Sequence, residues 1–194
     1  MEVDVRESKD GHVVVIHDEK VDRTTNGRGY VKELTLDELK RLDAGLGEKI
    51  PTLREVIREV KGKIRLVIEI KVQNIEQKVL QLIAEETMKK DVIVVSFYSN
   101  VLEKIKGLDG EIKTGFIFSK ILQSPLQLAV TFKSNIILPR YSLVSEAMVN
   151  DAHKLGLMII PWTVDDISIA KQLIKLGVNG IATNKPDIRN ELSK

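Results

Sequence analysis

Apolar and polar residues alternate along the chain with two distinct periods. Short runs rich in β-branched residues predict strands, and longer segments with apolar residues every three or four positions predict helices. From residue 64 onward, a strand pattern followed by a helix pattern occurs six times. The predicted strands cover residues 64–70, 91–97, 113–118, 135–138, 157–164 and 178–183. The predicted helices cover residues 75–90, 101–108, 121–132, 145–155 and 166–176, with a short sixth helix after Pro186.

This alternation predicts an α/β fold in which helical crossovers join parallel strands. An eight-stranded (β/α)8 TIM barrel is the natural closed form, and its active site lies at the carboxyl ends of the strands. An open doubly wound sheet is the alternative, although no glycine-rich phosphate loop follows any predicted strand.

The first 63 residues depart from this rhythm. An Asp10-Gly11 pair between strand patterns at residues 3–6 and 12–17 predicts a β-hairpin. Capping boxes that begin at Thr35 and Thr52 then predict two short helices, which end near residues 42 and 60. The expected organisation is a single barrel domain over residues 1–194, with a hairpin and insertion at 7–63 and regular strand–helix units at 64–194.

The composition narrows the class of protein. The 194 residues include 30 Lys and Arg against 28 Asp and Glu, and 43% of them are hydrophobic. This apolar content excludes a disordered chain, and the net charge of +2 argues against a nucleic-acid partner. The absence of cysteine excludes a disulfide framework and a thiolate zinc site. Apolar stretches stay far below the ~18 residues of a transmembrane segment, so a soluble, cytoplasmic protein is expected.

Two acidic residues at the start of the chain are candidate metal ligands. Glu2 and Asp4 share one face of the first predicted strand, because side chains alternate along a strand with a period of two. A structural interpretation gives each carboxylate a lysine or arginine partner. A functional interpretation places a divalent cation between them, since Mg²⁺ and Ca²⁺ prefer oxygen ligands.

His17 is a candidate acid–base residue beside this pair. If the hairpin has a two-residue turn, residue i faces residue 19 − i, so that Glu2 faces His17 and Asp4 faces Val15. His12 has the opposite parity and points to the other face. A histidine at the end of a strand is usually structural or exposed, but one near a metal-bound substrate can transfer protons close to neutral pH.

A third carboxylate interrupts an otherwise apolar strand pattern at Glu69. Burying a carboxylate there is costly unless it is paired or metal-bound. Lys71 has the same parity, so the two residues form either an ion pair at the barrel mouth or a metal ligand beside a phosphate-binding cation. Trp162, the only tryptophan, ends another apolar run and either lines a substrate pocket or packs in the core.

In their order along the chain, these motifs resemble those of the glycerophosphodiester phosphodiesterases. The resemblance covers essentially the whole chain, and the ordered set is far more specific than any single motif. The motifs are Glu2-Val-Asp4-Val5, Ser8-Lys-Asp-Gly11, Val13-Val-Val-Ile-His17-Asp18, Asp22-Arg-Thr-Thr-Asn-Gly27, Thr35-Leu-Asp-Glu-Leu39, Ile50-Pro-Thr-Leu53, Ile68-Glu-Ile-Lys71, Val95-Ser-Phe97, Pro161-Trp-Thr-Val164 and Gly180-Ile-Ala-Thr183.

The resemblance implies a PLC-like phosphodiesterase barrel that hydrolyses a small phosphodiester to glycerol 3-phosphate and an alcohol. It also implies one divalent cation, Mg²⁺ or Ca²⁺, with the ligands Glu2, Asp4 and Glu69. By the same resemblance, His17 is one of two acid–base histidines, Lys71 contacts the phosphate, and Trp162 lines the glycerol pocket.

The sequence departs from the family pattern at its beginning. The family starts with a strand ending in His-Arg-Gly, which holds the second catalytic histidine, and a helix with a Pro-Glu-Asn-Thr-like segment. Neither motif occurs in these 194 residues, and we expect the chain to begin at an internal methionine of a longer protein. A truncated protein with an open barrel seam is the alternative. For the 194-residue polypeptide itself we expect weak or no diesterase activity, and homodimers that cover the seam.

Two other functions stay open at this stage. A phosphodiesterase of the same fold that acts on lysophospholipids would use the same site on a different substrate. A non-catalytic metal- or ligand-binding barrel belongs to a different class, and the missing histidine makes it plausible.

Overall fold

The computed structural model describes residues 1–192, so the last two residues of the expected domain lie outside it. The chain divides into two compact units, the first ending at Ile112 and the second beginning at Lys113. The expectation of one domain over the whole chain stays a prediction. Among residues 1–192, every helix is too short or too polar to cross a membrane.

The first unit contains a four-stranded sheet with helices between its strands. Its elements are β1 (Glu2–Glu7), β2 (Val13–Val15), α1 (Leu36–Arg41), α2 (Leu53–Val60), β3 (Leu66–Ile70), α3 (Glu76–Glu85), β4 (Val92–Ser96) and α4 (Ser99–Leu108). β1 pairs with β2 in antiparallel and with β3 in parallel orientation, and β3 pairs with β4 in parallel. Leu66, Ile68 and Ile70 of β3 are fully buried in one core with residues of α2 and α3, and Glu69 is the one polar residue of this strand.

The second unit continues the alternation of strands and helices. Its elements are β5 (Lys113–Phe118), α5 (Pro125–Thr131), β6 (Ile136–Pro139), α6 (Glu146–Lys154), β7 (Met158–Ile159), α7 (Ile167–Lys175) and α8 (Ile188–Leu192). β6 pairs in parallel with both β5 and β7. Helices α6 and α7 end just before Gly156 and Gly177, whose φ angles of 72° and 91° give the left-handed turn that favours glycine.

Both predicted capping boxes are confirmed. The Thr35 hydroxyl accepts a hydrogen bond from the backbone of Glu38 at the start of α1, and the Glu38 side chain accepts one from the Thr35 backbone. The same reciprocal pair links Thr52 and Glu55 at the start of α2. These two helices therefore begin where the local sequence alone places them.

The predicted register of the first hairpin was wrong by one residue. Val5 pairs with Val15, so residue i faces residue 20 − i rather than 19 − i. The turn is a three-residue loop closed by a hydrogen bond of 2.9 Å from the Ser8 amide to the His12 carbonyl. Gly11 supplies the left-handed residue of this loop, with a φ of 84°. A three-residue loop of this kind shifts the pairing by one position relative to a two-residue turn.

The last predicted strand also differs from the structure. The described residues 178–183 form no regular strand, and β7 stops at Ile159. The segment still hydrogen bonds along the chain after β7, because the Val164 amide donates to Ala182 and the Ala182 amide donates to Pro161. Pro161 has no N–H group, which interrupts a regular ladder at this point.

Candidate active site

Three carboxylates converge on one face of the sheet in the first unit. Asp4 of β1 lies directly beside Glu69 of the parallel strand β3. Glu2 precedes Asp4 by two positions and so shares its face. One carboxylate oxygen from each of these three residues lies within 4.8 Å of the other two. The β1–β3 pairing thus brings Glu69 to two acids that are far from it in sequence.

Lys71 bridges two of these acids. Its Nζ atom lies 2.6 Å from Oε1 of Glu69 and 3.1 Å from Oδ1 of Asp4, and its side chain is 15% exposed. The Glu69–Lys71 ion pair, one of the two alternatives that the sequence left open, is present and lies within the carboxylate cluster.

The charges of this cluster are not balanced. Burial, and then the charges of Asp4 and Glu69, raise the pKa of Glu2 to about 7. Burial also raises the pKa of Glu69, although the hydrogen bond and charge of Lys71 oppose the change. Burial alone would lower the pKa of Lys71, but the hydrogen bond and charges of its acidic partners raise it. One lysine therefore neutralises only part of the negative charge at this site.

A divalent cation fits this donor set. Carboxylate oxygens are the ligands that Mg²⁺ and Ca²⁺ prefer, and three of them approach one another closely here. A bound cation would offset the repulsion that raises the pKa of Glu2. The residues that would hold it are Glu2, Asp4 and Glu69.

His17 is held in place by a charged network that the sequence reasoning missed. Its Nδ1 atom lies 2.7 Å from Oδ1 of Asp18. Asp18 also accepts hydrogen bonds from Arg23, at 2.6 Å from Nε and 2.9 Å from Nη2. The hydrogen bonds from Arg23 and then from His17 hold the pKa of Asp18 well below its usual range. The adjacency of His17 and Asp18 was visible in the sequence, but the return of Arg23 across the loop was not.

The corrected hairpin register still leaves His17 within electrostatic range of the cluster. The charge of His17 lowers the pKa of Glu69, although it is a smaller cause than burial or the contact with Lys71. The Nε atom of Arg6 donates a hydrogen bond of 2.9 Å to the His17 carbonyl oxygen. Arg6 lies on the same face of β1 as Asp4, so this bond ties His17 to the strand that carries two of the acids.

The structure also describes Trp162 and the other two histidines of the chain. Trp162 belongs to the second unit, is half-buried, and donates a hydrogen bond of 2.9 Å from Nε1 to the Leu138 carbonyl. The exposed ring of His12 lies in the hairpin, 3.9 Å from the Asp10 carboxylate. His153 lies in α6, within the helix predicted for residues 145–155.

Comparisons with known proteins agree on one family. The Glycerophosphoryl diester phosphodiesterase family matches residues 1–188. A glycerophosphodiester phosphodiesterase of Caldanaerobacter subterraneus subsp. tengcongensis is 40% identical over 200 residues, which cover 96% of this chain and 82% of the relative. A glycerophosphodiester phosphodiesterase of Bacillus subtilis is 30% identical over 223 residues, covering 100% of this chain and 76% of the relative.

Solved structures give the same result for the fold. An Oleispira antarctica phosphodiesterase in complex with the product sn-glycerol-3-phosphate superposes with a TM-score of 0.90 and 27% identity, covering 100% of this chain and 84% of that one. A glycerophosphodiester phosphodiesterase from Agrobacterium tumefaciens gives a TM-score of 0.86 and 28% identity, with coverages of 96% and 84%. The predicted α/β fold of the TIM-barrel class is confirmed.

Proposed function

The chain belongs to the glycerophosphoryl diester phosphodiesterase family, and we propose that it hydrolyses glycerophosphodiesters to sn-glycerol 3-phosphate and an alcohol. The observation that carries this proposal is the cluster of three carboxylates, two of which contact Lys71. The product bound to the Oleispira antarctica relative supports the choice of substrate class. In this reaction water gives a hydroxyl group to phosphorus, the bond from phosphorus to the alcohol oxygen breaks, and the alcohol leaves with a proton.

The carboxylates would hold one Mg²⁺ or Ca²⁺ ion through Glu2, Asp4 and Glu69. When bound, such an ion stabilises the extra negative charge that builds up on a phosphodiester during hydrolysis. Lys71 supplies a second positive charge at the same place. Its ammonium group is held by Glu69 and Asp4, so it is oriented before the substrate arrives.

His17 is the proposed proton-transfer residue. Asp18 binds the Nδ1 atom of the ring, which assigns the hydrogen to Nδ1 and leaves Nε2 to exchange a proton with the reacting groups. Arg23 keeps Asp18 ionised and fixed, so both act as positioning residues for His17. An alkoxide is a poor leaving group, and proton transfer to its oxygen lowers the barrier to its departure.

Trp162 is the proposed wall of the glycerol pocket. Its indole N–H donates to the Leu138 carbonyl, which fixes the ring plane, and an indole face can pack against the carbon atoms of a substrate. A cytoplasmic location and a homodimer stay predictions for this protein.

A product assay tests the proposed reaction. The protein is incubated with glycerophosphocholine and Mg²⁺ or Ca²⁺, and sn-glycerol 3-phosphate is measured with glycerol-3-phosphate dehydrogenase. Chelation of the metal should stop the reaction, and Asp4→Asn should lower turnover by about 10²–10³-fold. Glu103→Gln, at an exposed position of α4, is the matched control and should have no effect.

The ratio of turnover between the wild type and Asp4→Asn tests the assignment of the site even when the wild-type rate is slow. Formation of phosphocholine instead of glycerol 3-phosphate would show that the wrong ester bond breaks. An Asp4→Asn protein as active as the wild type would contradict the assignment of the site.

A further inference from the structure

A cavity of about 370 Å³ opens beside the carboxylate cluster, within the first unit. Lys71 lines this cavity and also contacts Glu69 and Asp4. Its volume lies in the range of about 300–1,000 Å³ that is usual for small-molecule sites. A phosphate held at Lys71 therefore directs one of its two ester substituents toward this cavity.

The contacts of Arg6 indicate which substituent this is. Arg6 lines the cavity, and its Nε atom donates a hydrogen bond of 2.9 Å to the His17 carbonyl. The cavity wall is thus attached to the backbone of the residue that exchanges protons in the proposed reaction. The oxygen that needs a proton as it leaves belongs to the alcohol, so the alcohol is the substituent on this side.

The cavity carries an excess of positive charge. Its charged lining residues are Arg6, Lys32, Lys71, Glu7 and Glu19. Glu7 is ion-paired with Lys78 of α3, so its negative charge does not offset the cations of the cavity. Lys71 is likewise paired, with Glu69 and Asp4, so the remaining cations Arg6 and Lys32 are opposed mainly by Glu19, an exposed residue. A positively charged ligand is disfavoured in such a place by like-charge repulsion.

Tyr30, one of the two aromatic residues in the cavity wall, is already contacted by cations of the protein itself. The Nζ atom of Lys20 lies 4.5 Å from the ring centroid of Tyr30, and that of Lys32 lies 5.7 Å from it. Aromatic faces commonly recognise quaternary ammonium groups through the same cation–π attraction. At Tyr30 these lysines already use that attraction, and a trimethylammonium group would meet their charges.

The same wall offers hydrogen-bonding groups to a neutral polyol. The phenol groups of Tyr30 and Tyr98 can donate and accept, and the side-chain amide of Gln73 can do both as well. Alcohols rich in hydroxyl groups pair well with such a set, whereas methyl groups on nitrogen do not.

We propose that this cavity binds the leaving alcohol and selects an uncharged, hydroxyl-rich alcohol over a quaternary ammonium alcohol. The proposal rests on the proposed hydrolysis, because the cavity would bind the alcohol that this reaction releases. Arg6, Tyr30 and Lys32 are the residues that set the preference, together with Lys20 across the Tyr30 ring.

Equilibrium binding to a His17→Ala protein tests this selection without turnover. The variant is titrated with glycerophosphoglycerol and with glycerophosphocholine in the presence of Ca²⁺, by calorimetry. The Kd for glycerophosphoglycerol should be lower by about tenfold or more, and the difference should shrink at high salt. Adding Lys20→Glu and Lys32→Glu should remove or reverse the preference, and Lys32→Gln alone should reduce it if the double variant does not fold. Lys90→Glu, an exposed change just before β4, is the control and should leave the ratio unchanged.

The outcomes separate this proposal from the proposed function. Equal Kd values in all variants, or no binding of either compound, would overturn the selection. Wild-type turnover of both compounds without any difference in Kd would overturn it while supporting the hydrolysis. A clear preference in binding with no wild-type turnover would support the cavity and contradict the hydrolysis.

Discussion

Two buried glutamates of the first unit show opposite electrostatic behaviour. Glu69 is 8% exposed and Glu76 is 1% exposed, and each contacts one lysine. Burial raises the pKa of Glu69 despite Lys71. Burial acts in the same direction on Glu76, but Lys104 and two backbone amides outweigh it and lower the pKa of Glu76.

The difference lies in the other groups around each carboxylate. Lys71 is shared between Glu69 and Asp4, with Glu2 close by, so several negative charges compete for one lysine. Lys104 lies 2.9 Å from Glu76, whose other oxygen accepts a hydrogen bond from the Asn74 amide. A buried acid that does not share its lysine is a structural element, whereas a group of acids short of positive charge is prepared to bind a cation.

The largest expected effect separates these two glutamates by turnover. Glu69→Gln should lower the turnover of glycerophosphocholine by about 10²–10³-fold, because it removes one ligand of the proposed cation. Glu76→Gln, an identical change at a similarly buried site, should stay within about twofold of the wild type. Equal losses in both variants, measured by release of sn-glycerol 3-phosphate, would remove the functional distinction.

Asp18 is a third case for this comparison. Its carboxylate is paired with Arg23, and yet it contacts His17, the proposed proton-transfer residue. Asp18→Asn should lower turnover by about ten- to a hundredfold, since the His17 ring loses the partner that fixes its orientation. In the wild type, ¹⁵N NMR of His17 should show hydrogen on Nδ1, and the variant should show a mixture of tautomers. An unchanged tautomer in the variant would reduce Asp18 to a structural partner of Arg23.

Of the two glutamine variants, the one with the larger loss of turnover should have the smaller loss of stability. Glu76→Gln breaks the ion pair with Lys104, whose side chain is 45% exposed, and should cost about 1–2 kcal/mol in the free energy of unfolding. Glu69→Gln relieves repulsion with Asp4 and should change stability by less than about 1 kcal/mol. Urea unfolding of both variants gives the two values. A larger loss for Glu69→Gln would assign Glu69 a structural role.

The smallest effect is the pH dependence that Glu76 contributes. Its pKa is lowered below the ordinary value of 4.5, so its ion pair contributes stability above pH 4.5. That contribution disappears as the pH falls through the pKa of the folded state. The stability difference between wild type and Glu76→Gln should therefore shrink below pH 4.5. A difference that grows in acid would mean that the carboxyl prefers to be protonated in the folded protein.

The sequence predicted local features well, because short-range rules determine them. Strand β5 covers the predicted residues 113–118, and the capping boxes at Thr35 and Thr52 begin their helices as expected. Alternation placed Glu2 and Asp4 on one face. Their proximity to Glu69 required the pairing of β1 with β3, which the sequence pattern alone does not specify.

The predictions that were wrong or missing depend on loop geometry, which the spacing of residues along the sequence does not determine. One extra residue in the hairpin loop changed the partner of every position in β2, although Asp10 and Gly11 suit either loop. The bond from Arg6 ties the His17 backbone to β1, but His17 does not face Glu2 as the wrong register had placed it. Arg23 returns to Asp18 through a loop whose shape no periodicity describes.

Cation binding to matched variants tests the central assignment most directly. Calorimetric titration with Mg²⁺ and Ca²⁺ should show one site in the wild type and an unchanged Kd in Glu76→Gln. In Glu69→Gln the Kd should rise by at least about tenfold, because one of three carboxylate ligands is lost. A Glu69→Gln protein that binds the cation as tightly as the wild type would contradict the assignment of Glu2, Asp4 and Glu69 as the metal site.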